Sequence, residues 1–434
     1  MKNCCRKCCC AIFCCTCCRK TPLNVINNQT KLLPINDDTK NELETKELYV
    51  FGTAPPELRK VLLEGYGEEP VKKIECGKSH CIILLNDQKR LIGFGSNAEG
   101  QLGLSLETKT CSQITQLSIN VPNLNMQNST ITDIAAGDDY SLILVNTEGE
   151  DTLIRFGTDI INKYVNIPNT NCQKIEKLPE LNSKIKYIYA FEKRKMFYTE
   201  DNEIYVGGRD FSGTEIDEYL LLKKFDKEIK NIYLQKESCI VENEDVIYGL
   251  GDNSYKELGL GNNFSMNDFT KLPFKFKKKP NEQKKIKKIS CGARHLLFLL
   301  EDGEIYCVGD NSEGQCCGAT SSCSYPVKLE INSKSKIVDC YSGYNHNLII
   351  LENGSVYTWG NTANGKLGYF EDKFTQDTPK EILGLKIKYI NKVCLGYQLT
   401  VIATGKENKS IVFNDKISNK ETKINNNNEL QNKN

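Results

Sequence analysis

Histidine, cysteine and lysine are the residues of this 434-residue chain whose type and spacing could carry chemistry. There are only three histidines, His80, His295 and His346. Each sits in the same frame, Gly-x-x-His followed by an apolar run: CGKSHCIILL from Cys76, CGARHLLFLL from Cys291 and SGYNHNLIIL from Ser342. A general base or metal ligand belongs to one site and has no reason to recur in register. An imidazole that satisfies buried backbone groups beside a tight glycine turn does recur. The pattern therefore predicts structural histidines and argues against histidine catalysis and histidine-containing zinc sites. The glycines Gly95, Gly100 and Gly103 invite comparison with a phosphate-cradling loop. Such loops lead into a helix N-terminus, whereas these lead into more turn and strand residues and recur along the chain. No metal and no cofactor is expected.

Cysteine is distributed unevenly. Of 21, nine lie in the first 18 residues: Cys4, Cys5, Cys8, Cys9, Cys10, Cys14, Cys15, Cys17 and Cys18, interleaved with Arg6, Lys7, Arg19 and Lys20. Thiols among basic and a few apolar residues suit S-acylation, which becomes durable with two or more chains. Dense thiolates also bind soft metals, and an unmodified tail is the third alternative. Residue 2 is Lys2, so N-myristoylation is excluded. The remaining cysteines have no metal-site spacing, and reduced thiols are expected. Lysine clusters in KFKKKPNEQKKIKK, residues 275–288, which reads as a surface loop able to meet an acidic partner or anionic lipid.

Bulk properties bound the rest. Net charge is +1, which gives no basic excess for a general nucleic-acid binder. No run of 18 apolar residues is present, and no signal-peptide core opens the chain. A cytoplasmic, membrane-associated protein is expected.

The histidine frames belong to a longer repeat. Four segments are plainly related: FGSNAEGQLGL from Phe94, LGDNSYKELGLG from Leu250, VGDNSEGQCCGA from Val308 and WGNTANGKLGY from Trp359. Weaker copies end at Thr53, Thr158 and Arg209. The anchoring glycines are Gly52, Gly95, Gly157, Gly208, Gly251, Gly309 and Gly360, spaced 43, 62, 51, 43, 58 and 51 residues apart. Seven Gly-x-x-His-type segments alternate with them; AGDDYSLILV from Ala136 and LGYQLTVIAT from Leu395 are degenerate copies. Short apolar runs bounded by turns, and EDG and ENG turns, read as antiparallel strands throughout. Radial repetition of four-stranded sheets would bury the runs and leave little open edge. An all-β, seven-bladed β-propeller over residues 47–404 follows. Residues 1–20 form the cysteine-rich anchor, 21–46 a polar tether, and 405–434 a polar, mostly disordered tail. The strand at 47–52 lacks its own partner segment and the segment at 393–404 lacks an anchor, so the two are expected to share a blade. Ser410–Asn414 (SIVFN) is the competing closing strand.

The alternation of Gly-x-x-His, apolar strand, turn, Tyr-x-Trp-Gly and Asn-x-x-Gly-Gln-Leu-Gly resembles the regulator-of-chromosome-condensation repeat family. That resemblance also implies seven blades and a protein-binding platform, with no bond-making catalysis of its own. The family's founding activity, guanine-nucleotide exchange on a Ran-like small GTPase, is one implied function; a substrate-recognition or adaptor subunit is another. Family members with exchange activity carry an Ala-Gly-Asp-x-His segment in an early repeat. Here Ala136-Gly137-Asp138-Asp139-Tyr140 keeps the acid and replaces the histidine. Asp138 and Asp139 are thus the candidate GTPase contacts, while Asp159–Asn171 is not recognisable as the family's protruding wedge. Gly95, Gly103, Gly251, Gly309 and Gly360 join the three histidines as structural repeat positions.

Overall fold

Strand-forming runs alternate with turns along nearly the whole described chain, and the sheets they make include seven four-stranded antiparallel blades. The computed structural model describes residues 47–53, 60–63, 71–157, 173–244, 246–279, 282–316, 321–387 and 389–405. Blades 1 to 6 occupy residues 71–117, 129–175, 185–224, 231–271, 286–328 and 337–386. In each, the four strands lie side by side in chain order. Blade 7 is composite: Ile390–Leu395 and Leu399–Thr404 are followed in space by Glu47–Gly52 and Lys60–Leu62. The N-terminal strand thus closes the ring, in register from Leu48 opposite Ala403 to Gly52 opposite Leu399. Ser410–Asn414 lies outside the described residues.

The second strand of every blade is buried along most or all of its length, as in His80–Leu85, His295–Leu300 and His346–Leu351. Both faces of these strands meet a neighbouring blade, which explains continuous apolar runs where alternation would mark a half-exposed strand. Ile82 and Leu84 of blade 1, for example, pack with Ile134, Ile143 and Phe156 of blade 2. Each such side chain contributes about 1.5–3 kcal/mol on burial.

The histidines stitch blades together. His80 Nε2 is 2.9 Å from Ser141 Oγ, His295 Nε2 is 2.7 Å from Asn347 Oδ1, and His346 Nε2 is 2.8 Å from Thr400 Oγ1. Each partner belongs to the next blade and donates in turn to a carbonyl: Gln101, Gln315 and Lys366 respectively. The relays require a proton on Nε2 and a bare Nδ1. The imidazole thus meets a side chain of the next blade, one link short of the backbone contact expected from the sequence. In blades 2 and 3, Tyr140 and Arg194 occupy the same position. Tyr140 Oη donates to Arg194 O at 2.7 Å, and Arg194 Nη1 donates to Lys236 O at 2.8 Å.

In blades 1, 2, 5, 6 and 7 glycine opens the turn, for a steric reason. A Cβ on Gly77 would lie 2.2 Å from both Gly137 O and His80 Cε1. That close approach permits backbone hydrogen bonds between blades: Lys78 N to Asp138 O, Asp138 N to Glu192 O, Lys236 N to Ala293 O, Ala293 N to Tyr344 O, Tyr344 N to Gly396 O, and Tyr397 N to Gly77 O. At the joint of blades 3 and 4, Arg194 and the Glu192–Lys236 ion pair make the link. At the anchor position, Gly309 adopts φ +108°, and a Cβ there would sit 2.4 Å from Arg294 O.

Two expectations are corrected. Residues 275–288 are not a loop. Phe276–Lys279 and Glu282–Lys284 form a two-stranded hairpin, and Ile286–Cys291 is already the first strand of blade 5. Period-2 apolar residues hidden among the lysines, Leu272, Phe274 and Phe276, are buried and impose extended structure. Nor are all core cysteines reduced: Cys307 and Cys316 form a disulfide, with Cα atoms 5.2 Å apart. The corresponding positions in blades 1 and 4 are Gly93 facing Leu102 and Gly249 facing Leu258, where a Cβ on the glycine would lie 3.1 and 3.0 Å from the leucine. In blade 5 both members of that contact are cysteine.

Candidate interaction site at the channel mouth

First strands line the central channel, so their terminal turns ring one mouth of it. The second residue of each turn defines a ring that runs Lys78, Asp138, Glu192, Lys236, Ala293, Tyr344, Tyr397. Beneath it lies a cavity of about 140 Å³ reached by residues of all seven blades, among them Cys76, Asp138, Glu192, Leu234, Cys291 and Tyr344.

Tyr344 spans this mouth. Its hydroxyl donates to Glu192 Oε1 at 2.8 Å and accepts from Lys236 Nζ at 3.1 Å, which ties blade 6 to blades 3 and 4. Phe191 stacks on its ring at 5.9 Å, and Tyr397 meets it edge-on at 4.2 Å. Lys236 Nζ lies 5.9 Å from the Tyr344 centroid, and Lys78 Nζ 6.0 Å from that of Tyr397. The mouth is an aromatic plug beside two adjacent acids, Asp138 and Glu192, flanked by Lys78 and Lys236, a surface suited to anchoring a protein partner.

Asp138 is held by its backbone, which donates to blade 3 and accepts from blade 1. Its half-buried carboxylate has no hydrogen-bond partner among the described residues. Burial first, then Glu192 and Asp139, push its carboxyl up to about 6. Asp139 lies beside it in the same turn, half-buried. The structure brings Asp138 and Asp139 to the mouth but sends the histidines into the blades, where burial lowers all three, His80 to about 3. Cys76 and Cys291 line the cavity as thiols, pushed well above their ordinary value by burial. The arrangement couples no nucleophile to a base; its groups are placed for contact. Glu192, Lys236, Tyr344 and Tyr397 were not singled out from sequence, although comparing one turn position across the seven copies would have found them. Cys4 to Cys18, Asp159–Asn171 and Cys317 lie outside the described residues.

The Regulator of chromosome condensation (RCC1) repeat matches residues 90–144, 244–299, 302–350 and 353–403, and its second form matches 71–101, 286–315 and 337–366. Together these cover more than half of the chain. It belongs to the RCC1-repeat family. The stretch 145–243, which these matches leave out, contains the turns where Arg194 and Ser238 stand in the histidine position of the repeat. The human X-linked retinitis pigmentosa GTPase regulator is 31% identical over 166 residues, 38% of this chain and 14% of that protein. The chain therefore spans only about a seventh of that relative's length. The ultraviolet-B receptor UVR8 of Arabidopsis thaliana is 25% identical over 332 residues, covering 73% of this chain and 71% of the receptor. Among solved structures, Prp20p of Saccharomyces cerevisiae, studied for binding to Gsp1p and histones, superposes with a TM-score of 0.67 at 16% identity, over 85% of this chain and 94% of its own. Human WBSCR16 gives 0.65 at 15% identity, over 83% and 99%. These two likenesses establish the RCC1-type propeller fold.

Proposed function

We propose that this RCC1-repeat propeller is a membrane-tethered protein-interaction platform that regulates a small GTPase, with the channel mouth as the contact surface. The observation that carries the reading is Asp138: an acid fixed by inter-blade backbone bonds, half-buried, with its carboxylate uncommitted, at a mouth built of aromatic and charged side chains. The name of the human relative, a GTPase regulator, and the yeast neighbour's study with Gsp1p support the choice of partner class. Purified full-length protein is expected to accelerate release of labelled GDP from a Ran-like GTPase of its own cell, and Asp138→Ala to slow that release. Binding without acceleration would reduce the reading to a platform without exchange activity.

The tether is the second half of the proposal. Nine thiols and five basic residues within the first 20 positions favour acylation at a cytosolic leaflet. No helix among the described residues is long and apolar enough to cross a membrane. The protein is expected in the membrane fraction of its native cell, with hydroxylamine, which cleaves thioesters, releasing it. Changing the nine cysteines to serine should make it soluble. A wild-type protein already soluble, or one holding stoichiometric zinc through this segment, would refute the anchor.

A further inference from the structure

The two edges of the ring differ chemically. One carries the channel mouth described above. The other, here the far edge, is where first strands begin and second strands end. The hairpin between blades 4 and 5 reaches this edge, because Lys284 pairs with Asp302 at 2.9 Å and with Glu304 in the far-edge turn of blade 5. Its footing is apolar: the rings of Phe274 and Phe276 lie 4.5 and 5.3 Å from that of Phe298, and Phe276 lies 4.8 Å from Tyr306. Strand alternation then puts Lys275 and Lys277 on the exposed side, and Lys285 is exposed as well.

Lys284, Lys287 and Lys288 of this run are committed. Lys287 donates to Val338 O at 2.7 Å and Lys288 to Asp339 Oδ1 at 2.6 Å, the same inter-blade bonds that Lys72 and Lys73 make to Thr132 O and Asp133. The neighbouring acid Glu304 is also taken, holding Lys328 at 3.2 Å as well as Lys284. Among the described residues, no carboxylate lies within ion-pair distance of Lys275, Lys277 or Lys285. A second observation concerns the chain path. Glu47 opens the closing strand, and its N–H donates to Thr404 Oγ1 at 2.8 Å, at the far-edge end of a second strand. The polypeptide preceding Glu47 therefore joins the propeller at the same edge as the hairpin.

We infer that the hairpin between blades 4 and 5, through Lys275, Lys277 and Lys285, docks on an anionic phospholipid bilayer, so that the far edge faces the membrane and the mouth with Asp138 faces the cytosol. Lysines are mobile point charges, fitted to a diffuse anionic surface more than to planar, bidentate recognition of a single carboxylate. The inference rests on the membrane reading above but names a surface that acts without acylation.

The test uses the full chain with the nine N-terminal cysteines changed to serine, mixed with vesicles of phosphatidylcholine alone or with added phosphatidylserine. Binding is expected only with phosphatidylserine and is expected to weaken with salt. Lys275→Glu, Lys277→Glu and Lys285→Glu together should weaken it more than about tenfold, leaving the thermal transition unchanged. The basic residues near the N-terminus remain in both proteins, so the difference belongs to the hairpin. Equal binding by the triple variant, equal binding to phosphatidylcholine, or tighter binding to soluble polyglutamate than to phosphatidylserine vesicles would overturn the inference. Serine-substituted protein that ignores vesicles, while the wild type fractionates with membranes, sinks the hairpin and leaves the tether standing. Hairpin-dependent vesicle binding by a protein that hydroxylamine never releases supports the hairpin and refutes the tether.

Discussion

Deleting residues 1–53 is expected to abolish cooperative folding, whereas deleting residues 1–46 leaves the thermal transition in place. The longer deletion removes Glu47–Gly52, the third strand of blade 7, and strips the edge of Leu399–Thr404 of five residue pairs. It also removes Leu48 and Val50, both fully buried with Leu63, Ile83, Phe94 and Val401. Those two side chains alone stabilise by about 1.5–3 kcal/mol each. Adding the lost strand pairing brings the total toward the whole stability of a typical domain, about 5–15 kcal/mol. The opened edge should then pair with other chains and aggregate. Circular dichroism melting with light scattering checks this. A 1–53 deletion that melts like the wild type, beside a 406–434 deletion that collapses, would mean the ring is closed elsewhere.

The second expected effect is a pH-dependent histidine penalty. His80 is buried and neutral, with its folded value lowered to about 3 from an ordinary value near 6.5. Between those limits the unfolded chain holds a proton that the folded site refuses, so falling pH favours unfolding. At pH 5 this costs about 2 kcal/mol relative to neutral pH. His295 and His346 are lowered by the same burial and act with the same sign. Carboxyls raised by burial, such as Asp138, act oppositely, so the whole-protein profile mixes signs. The comparison between variants isolates the imidazole. At pH 7.5, His80→Ala should lose about 1–3 kcal/mol through the unpaired Ser141 and the vacated space. By pH 5 that loss should shrink by about 2 kcal/mol, because the variant no longer keeps a neutral imidazole. Urea midpoints at the two pH values supply the measurement. A His80→Ala penalty that is constant, or grows, as pH falls would mean that His80 is charged in the fold.

Blade count and closure were legible because they depend on residues with one steric solution. Gly77, Gly137, Gly292 and Gly396 admit no Cβ beside the next blade's carbonyl, so the turn glycine recurs and helps to mark the period, although Phe191 and Gln235 replace it in blades 3 and 4. The half-motifs at 47–52 and 393–404 were readable as complements for the same reason. The mouth was less legible: its defining position holds Lys, Asp, Glu, Ala and Tyr in different blades, since backbone bonds fix the turn and leave the side chain free to vary. Asp138 was found through a family resemblance, Glu192 and Tyr344 only through geometry. Cys307 and Cys316 stand among the cysteines expected as reduced thiols, although they fill both halves of one contact that is Gly with Leu in blades 1 and 4. The lysine run misled because charge density hid the alternation of Leu272, Phe274 and Phe276.

Whether the channel mouth receives a small GTPase is decided by the affinity of the full chain for a Ran-like small GTPase of its own cell. Wild type, Asp138→Ala, Tyr344→Ala and Lys277→Glu would be compared by titration at one salt concentration. With the mouth as contact surface, Asp138→Ala and Tyr344→Ala each weaken binding by about tenfold or more, as for central interface residues. The far-edge change should leave affinity unaltered. Binding that survives both mouth substitutions and falls with the far-edge change would place the partner on the opposite side of the ring and contradict the assignment of the mouth.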